Sequence, residues 1–104
     1  KADQFQYKYD IKNLTLMIYY EQGCTELILY TIKSYRSFIK YDNLLNEQNK
    51  KRYLTFISHL EKLVYSSTGE RDVDLDYLIH QLNVKDNSAH KDWLIERINI
   101  LKKV

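Results

Sequence analysis

The residues best able to hold a metal ion or move a proton are three histidines, His59, His80 and His90. A metal site on one helix places two ligands three or four residues apart, so that both face the same side. His80 has Asp76 at that spacing, and His90 has Asp86. The sequence contains no HExxH, ExxH or CxxC motif. We therefore expect surface or half-buried histidines, with no metal and no cofactor.

Cys24 is the single cysteine, so an internal disulfide is excluded. It lies where a helix is predicted to begin, and the N-terminus of a helix can lower the pKa of a thiol. Nucleophilic catalysis also needs a base and an orienting group beside the nucleophile, and the sequence singles out neither. We interpret Cys24 as a small residue packed in a tight bend, with a reactive thiol as the alternative. We predict that the protein is not an enzyme.

The acidic and glycine residues also fail to form a known ligand-binding pattern. Asp72, Asp74 and Asp76 alternate, but they lack the glycine and the distal glutamate of a calcium loop. We predict that they cap and solvate the start of a helix. Gly23 and Gly69 are the two glycines of the chain and lie far apart, which excludes a glycine-rich phosphate loop.

Tyrosine is the most unusual feature of the composition. Seven of the ten tyrosines fall within residues 1–41. Tyrosine is frequent at protein interfaces, because one part of the ring can be buried while the hydroxyl stays hydrated. We predict an interaction face for another protein or a second copy of this chain, formed by Tyr9, Leu16, Tyr19, Tyr20 and Tyr30. The alternative is ordinary helix packing with the hydroxyls at the rim.

A small basic cluster, Lys50, Lys51 and Arg52, suggests nucleic-acid binding as an alternative function. The chain has 16 basic and 14 acidic residues and a net charge of +2. That balance is too even for strong binding driven by phosphate charge. We expect these residues to form a solvated helix face.

The apolar residues recur at helical spacing and predict five helices. These cover approximately residues 4–22, 24–41, 47–65, 75–82 and 89–102. Gly23 is predicted to end the first helix in a left-handed conformation. Asn46 and Ser88 are predicted to cap the third and fifth helices.

The first helix has apolar residues on more than one face. Tyr7, Ile11, Leu14 and Ile18 recur at steps of four, three and four and share one face, while Tyr9, Leu16, Tyr19 and Tyr20 widen the apolar surface. The second helix has one stripe of Ile28, Ile32, Tyr35 and Ile39, and another of Leu27, Tyr30, Ser34 and Phe38. The third helix has one apolar face, formed by Tyr53, Phe56, Ile57, Leu60, Leu63 and Val64. A helix that is apolar on two faces usually lies between two neighbours. If a preceding helix is missing, the second apolar face of the first helix is expected to be exposed.

The bulk composition favours an all-α fold. The chain has 104 residues, no proline and two glycines, which leaves too few turn formers for an all-β protein. We predict a single all-α domain over residues 1–104, built of antiparallel helical hairpins as a tetratricopeptide-like array or a small bundle. Its parts are a hairpin (1–41), the third helix (46–65) and the C-terminal helices (72–104). The chain does not begin with methionine, and we expect a piece of a longer protein.

No apolar run approaches the roughly 20 residues of a membrane span, so we expect no membrane partner. The single cysteine is compatible with a reducing compartment, and we expect a cytoplasmic protein.

The segment from Tyr19 to Ile28 resembles the hairpin turn of tetratricopeptide-like repeats, which place an aromatic residue four positions before a glycine. Tyr19 and Gly23 match that spacing. Ile28 departs from the alanine usual in the repeat, and Lys40 lies near a position often held by proline.

A second resemblance covers more of the chain, through residues 37–41, 50–63 and 91–98. It is similar to the C-terminal region of long, uncharacterised bacterial helical-repeat proteins. The resemblance implies a non-enzymatic protein–protein interaction or scaffold module, by analogy of fold.

Overall fold

The protein consists of helices joined by short links in the computed structural model, which describes residues 2–84 and 87–103, with side chains from Tyr7 onward. There are five helices in these ranges, and no strand. They are α1 (Ala2–Glu21), α2 (Thr25–Lys40), α3 (Glu47–Thr68), α4 (Leu75–Val84) and α5 (Lys91–Lys102). The prediction of an all-α fold is confirmed.

The link between α1 and α2 has the geometry predicted for Gly23. Gly23 has a φ of 71°, in the left-handed region that favours glycine. The Gly23 N–H donates to the Tyr20 carbonyl at 3.1 Å, and the Cys24 N–H donates to the Tyr19 carbonyl at 3.0 Å. These two bonds form a Schellman motif. They end α1 and turn the chain directly into α2, so that the two helices form a hairpin.

The predicted end of α3 at Tyr65 is wrong, because the helix continues for three more residues to Thr68. The Ser67 hydroxyl donates to the Val64 carbonyl at 2.8 Å, and the Thr68 hydroxyl donates to the Tyr65 carbonyl at 3.2 Å. These bonds within the helix satisfy hydroxyls that otherwise favour turns. Gly69, with a φ of 77°, then ends the helix.

The predicted start of α5 at Ala89, capped by Ser88, is also wrong. The helix begins at Lys91, after His90 in a left-handed conformation with a φ of 53°. The Ser88 hydroxyl is buried and donates to the Ala89 carbonyl at 2.8 Å. The Ala89 N–H donates to the Arg52 carbonyl at 3.4 Å, so residues 88–89 pack on α3 before the last helix begins.

The other two helix caps are as predicted. Asn46 accepts a hydrogen bond from the Asn49 N–H at 2.8 Å at the start of α3. Asp74 accepts from the Tyr77 N–H at 3.0 Å at the start of α4. Each cap satisfies a backbone N–H that has no partner within its helix.

The core lies around α3, which packs against α2 on one side and α5 on the other. Helix α1 packs on α2, and α4 packs on α5. The stripe of α3 and the first of the two stripes of α2 are buried and form most of the core, which consists of Ile28, Ile32, Tyr35, Ile39, Tyr53, Phe56, Ile57, Leu60, Leu63 and Val64 from these helices. The second stripe of α2 is exposed. The sequence pattern therefore identified the inward face of α3 correctly but only one of the two faces predicted for α2.

Candidate interaction surface

The inward face of α1 carries Tyr9, Asn13 and Leu16, all buried. The Tyr9 ring stacks on Tyr53 of α3, with ring centroids 5.0 Å apart and planes 10° from parallel. The Tyr9 hydroxyl donates to the Asp42 carboxylate. Tyr9 and Leu16 therefore belong to the core, and the prediction that they form part of an exposed interaction face is wrong.

Polar partners explain why α1 turns this face inward. The buried Tyr35 hydroxyl of α2 donates to the Asn13 side-chain oxygen at 2.7 Å. Burial raises the pKa of Tyr35 and of Tyr9, and the hydrogen bond to Asp42 raises the pKa of Tyr9 further. The same bond lowers the pKa of Asp42. Buried hydroxyls need such partners. Asn13 of α1 supplies one for Tyr35, and Asp42, which follows α2, supplies one for Tyr9.

The other tyrosines of the predicted interaction face divide between two environments. Tyr19 and Tyr20 are half-buried, and Tyr20 meets Trp93 of α5 edge-on, with ring centroids 5.6 Å apart. Tyr30 lies in solvent with 73% of its surface exposed. The five residues predicted as one face are therefore distributed over the core, the contact with α5 and the outer surface.

The exposed apolar surface of α1 is formed by Tyr7, Ile11, Leu14 and Ile18, which we call the outer stripe. Their exposed fractions range from 48% to 65%. Successive residues of an α-helix are about 100° apart, so the outer stripe lies on the side of α1 opposite Tyr9 and Leu16. The sequence placed these residues on one face correctly, but that face points away from the core.

Apolar residues of α2 are exposed on another side of the hairpin, since Phe38 meets α1 at Tyr9, opposite the outer stripe. Phe38 contacts the Tyr9 ring, with centroids 5.7 Å apart, and the Lys12 ammonium lies 4.5 Å from its ring centroid. Leu27 precedes Phe38 by eleven residues, about three helical turns, and therefore lies on the same side of α2. Leu27 and Tyr30 are exposed. We call the side of α1 that carries the outer stripe the outer face of the first hairpin.

Only part of the predicted basic cluster shares one surface, because Lys50 and Lys51 border an open depression together with Lys40 and Glu47. The Lys50 ammonium donates to the Lys40 carbonyl at 3.3 Å, next to α2, and 17% of its side chain is exposed. Lys51 borders α4, and the Arg52 guanidinium lies 6.0 Å from the Tyr53 ring centroid. Three consecutive residues on a helix point in different directions. Nucleic-acid binding through them stays a prediction.

The residues considered for metal or nucleophilic chemistry lie apart. His59 is buried, His80 lies at an open depression of about 600 Å³ between α3 and α4, and the His90 ring packs against Phe56. Asp76, the expected partner of His80, pairs with Lys102, and Asp86 lies outside the described residues. Cys24 is half-buried, with its sulfur 3.9 Å from the Gln22 side-chain oxygen. Within residues 2–84 and 87–103, no three His, Cys, Asp or Glu side chains group as a metal site would require.

None of the helices in the described part of the chain combines the length and the apolar character needed to cross a bilayer. Comparison with protein-family models, with curated proteins and with solved structures found no match for this chain. The resemblance to tetratricopeptide-like proteins therefore stays a prediction, and any functional argument depends on the surface itself.

Proposed function

We propose that the protein is a non-enzymatic interaction module that binds a protein partner through the outer face of the first hairpin. The observation that carries this proposal is the outer stripe, whose four large apolar side chains share one side of α1 and are about half exposed or more. Single exposed apolar residues are normal on a protein surface. A contiguous apolar surface with polar residues around it is typical of an interaction site.

The surroundings of the outer stripe support this interpretation. Lys8 and Asp10 lie beside it and are exposed, which gives the apolar surface a polar rim of the kind that surrounds protein interfaces. Fewer large exposed apolar residues lie on the later elements, with Leu44 before α3, Tyr77 and Val84 on α4 and Ile100 on α5. No other described helix presents four such residues on one side.

A pair of matched variants tests the proposal. Ile11→Glu introduces a charge in the outer stripe, and Ile100→Glu introduces the same charge on α5. The two isoleucines are 48% and 46% exposed, so both variants should keep the fold, as circular dichroism can verify. We expect immobilised wild type and Ile100→Glu to retain the same partner, identified by mass spectrometry, and Ile11→Glu to lose it. Equal retention by all three proteins would show that the partner binds elsewhere and contradict the proposal.

A further inference from the structure

We propose that the partner on the outer face is a second copy of this chain, with the two α1 helices packed antiparallel around a two-fold axis. This inference rests on the proposed function and specifies its partner. Three properties of the outer stripe support it: the spacing of its residues, the charges beside it and the area that it can bury.

The spacing of the outer stripe is that of a helix–helix seam. Steps of four, three and four residues place Tyr7, Ile11, Leu14 and Ile18 at the a and d positions of heptads. The same steps separate Ile28, Ile32, Tyr35 and Ile39 in α2. That stripe of α2 is buried and packs in the core. This chain therefore already uses the spacing for helix packing, and α1 presents it to solvent.

The outer stripe is complementary to itself when two copies run antiparallel. A two-fold axis between Lys12 and Asn13 places Ile11 opposite the partner's Leu14, and Tyr7 opposite the partner's Ile18. Antiparallel helices also bring opposite ends of their dipoles together, which favours this orientation. A parallel pair would instead place the two Tyr7 rings against each other.

The charges beside the stripe are compatible with this pairing. In an antiparallel pair, residues of the same flank meet across the interface. Lys8 and Thr15 lie on one flank, and Asp10 and Met17 lie on the other. Lys8 therefore meets the partner's Thr15, and Asp10 meets the partner's Met17. No like charges meet at these positions, and the seam from Tyr7 to Ile18 itself carries no charge.

The area is also sufficient for a stable dimer. A specific interface buries about 800 Å² on each partner, a little more than half of it apolar. From the exposed fractions of its residues, the outer stripe presents about 400 Å² of side-chain surface. The outer stripe thus supplies nearly all of the apolar part of an interface of standard size.

The mass of the purified chain in solution tests self-association directly. Light scattering and sedimentation equilibrium should give a dimer for wild type and for Ile100→Glu at concentrations up to about 200 µM, which cover the affinities of small interfaces. Ile11→Glu places a charge in the seam twice per dimer. It should raise the dimer dissociation constant by at least about 100-fold.

Mixing two variants tests the antiparallel arrangement. Ile11→Glu and Leu14→Lys should each be monomeric alone, because a charge faces an apolar residue at two places in each homodimer. Mixed in equal amounts they should form a heterodimer, in which the new glutamate faces the new lysine and Ile11 of one chain still faces the partner's Leu14. A parallel pair gives no such rescue. Rescue also shows that both variants are folded.

Each contrary outcome has a distinct meaning. A monomeric wild type at about 200 µM overturns self-pairing, and the proposed function then stands or falls by the capture experiment with Ile11→Glu and Ile100→Glu. A dimer that survives Ile11→Glu places the interface elsewhere and overturns the inference. A mixture of Ile11→Glu and Leu14→Lys that stays monomeric overturns the antiparallel arrangement.

Discussion

Single polar contacts decide which side of α1 is buried. Asn13 is almost fully buried, although its neighbours Ile11 and Leu14 are exposed. Its side-chain oxygen accepts the hydrogen bond of the buried Tyr35 hydroxyl. Leaving either group buried without a partner would cost about 1–3 kcal/mol, which is a large fraction of the stability of a small domain. The face of α1 with the better polar partners is therefore inside, and the more regular aliphatic face is outside.

The contact between Tyr35 and Asn13 gives the first prediction. Tyr35→Phe removes the donor and leaves the Asn13 oxygen buried, so it should lower the free energy of unfolding by about 1–3 kcal/mol. Urea denaturation followed by circular dichroism measures this change. Tyr30→Phe is the matched control on the same helix, because Tyr30 is 73% exposed, and it should have almost no effect. Equal effects of the two substitutions would show that the hydrogen bond does not contribute to stability.

The residues adjacent in the sequence were sufficient to predict some helix ends and caps. Gly23 and Asn46 could be placed correctly because left-handed turns and N-caps depend on a few adjacent residues. The burial of Asn13 could not be predicted, since its partner Tyr35 is 22 residues away in the chain. The same is true of Tyr9, which is buried through its contacts with Tyr53 and Asp42.

Apolar periodicity identified all five helices and the inward face of α3, but it gave two faces for α2, of which one is exposed. It failed to choose between the two faces of α1, because both are apolar and the choice depends on what the other helices offer. The periodicity also placed the start of α5 two residues early, because Ser88 and Ala89 pack on α3 and do not form part of the helix. The candidate site was therefore half predictable: the outer stripe was recognised as one face, but its exposure was not.

The C-terminal end of α1 is joined to α5 by one carboxylate. Glu21 accepts a hydrogen bond from the Trp93 indole at 3.1 Å and pairs with Arg97 at 3.0 Å. Arg97 also pairs with Glu96 at 3.0 Å, within α5. The two glutamates share one arginine, but only the contact of Glu21 links two helices.

Neutralising these glutamates one at a time should separate the two roles. Glu21→Gln should lower the free energy of unfolding by up to about 1 kcal/mol, because such exposed pairs are weak, and should change the fluorescence of Trp93, the one tryptophan of the chain. Glu96→Gln should leave that fluorescence unchanged. Hydrogen exchange should be faster in α5 of Glu21→Gln than in the control. If both variants change the fluorescence equally, Glu21 does not hold α5 against α1.

The whole molecule is a flat assembly of helices. Its extents are 43 × 30 × 19 Å, and an α-helix with its side chains is about 10 Å thick. The shortest dimension therefore corresponds to two layers. Helix α1 packs on α2 and also meets α3 through Tyr9 and α5 through Tyr20. None of the described helices covers its outer stripe, which is exposed. The buried tyrosines Tyr9, Tyr35 and Tyr53 meet between the layers and connect α1, α2 and α3.

This cluster predicts a loss of the whole fold at alkaline pH. Burial raises the pKa of Tyr9 and Tyr35 above the ordinary value of 10.0, so the folded chain keeps both phenolic protons where the unfolded chain releases them. The two protons stabilise the fold below pH 10, and stability falls as the pH rises above that value. The free energy of unfolding should fall by about 1.4 kcal/mol per pH unit for each retained proton.

An alkaline titration should therefore show two stages. Absorbance at about 295 nm detects ionised tyrosine, and circular dichroism detects the loss of helix. In the first stage the helices should stay intact. Tyr9 and Tyr35 should ionise together with the loss of helix, because burial of a charged phenolate in the core is unfavourable. Tyr35→Phe should reduce the second stage. If all ten tyrosines ionise in one stage while the helical signal stays constant, the tyrosine cluster does not couple ionisation to unfolding.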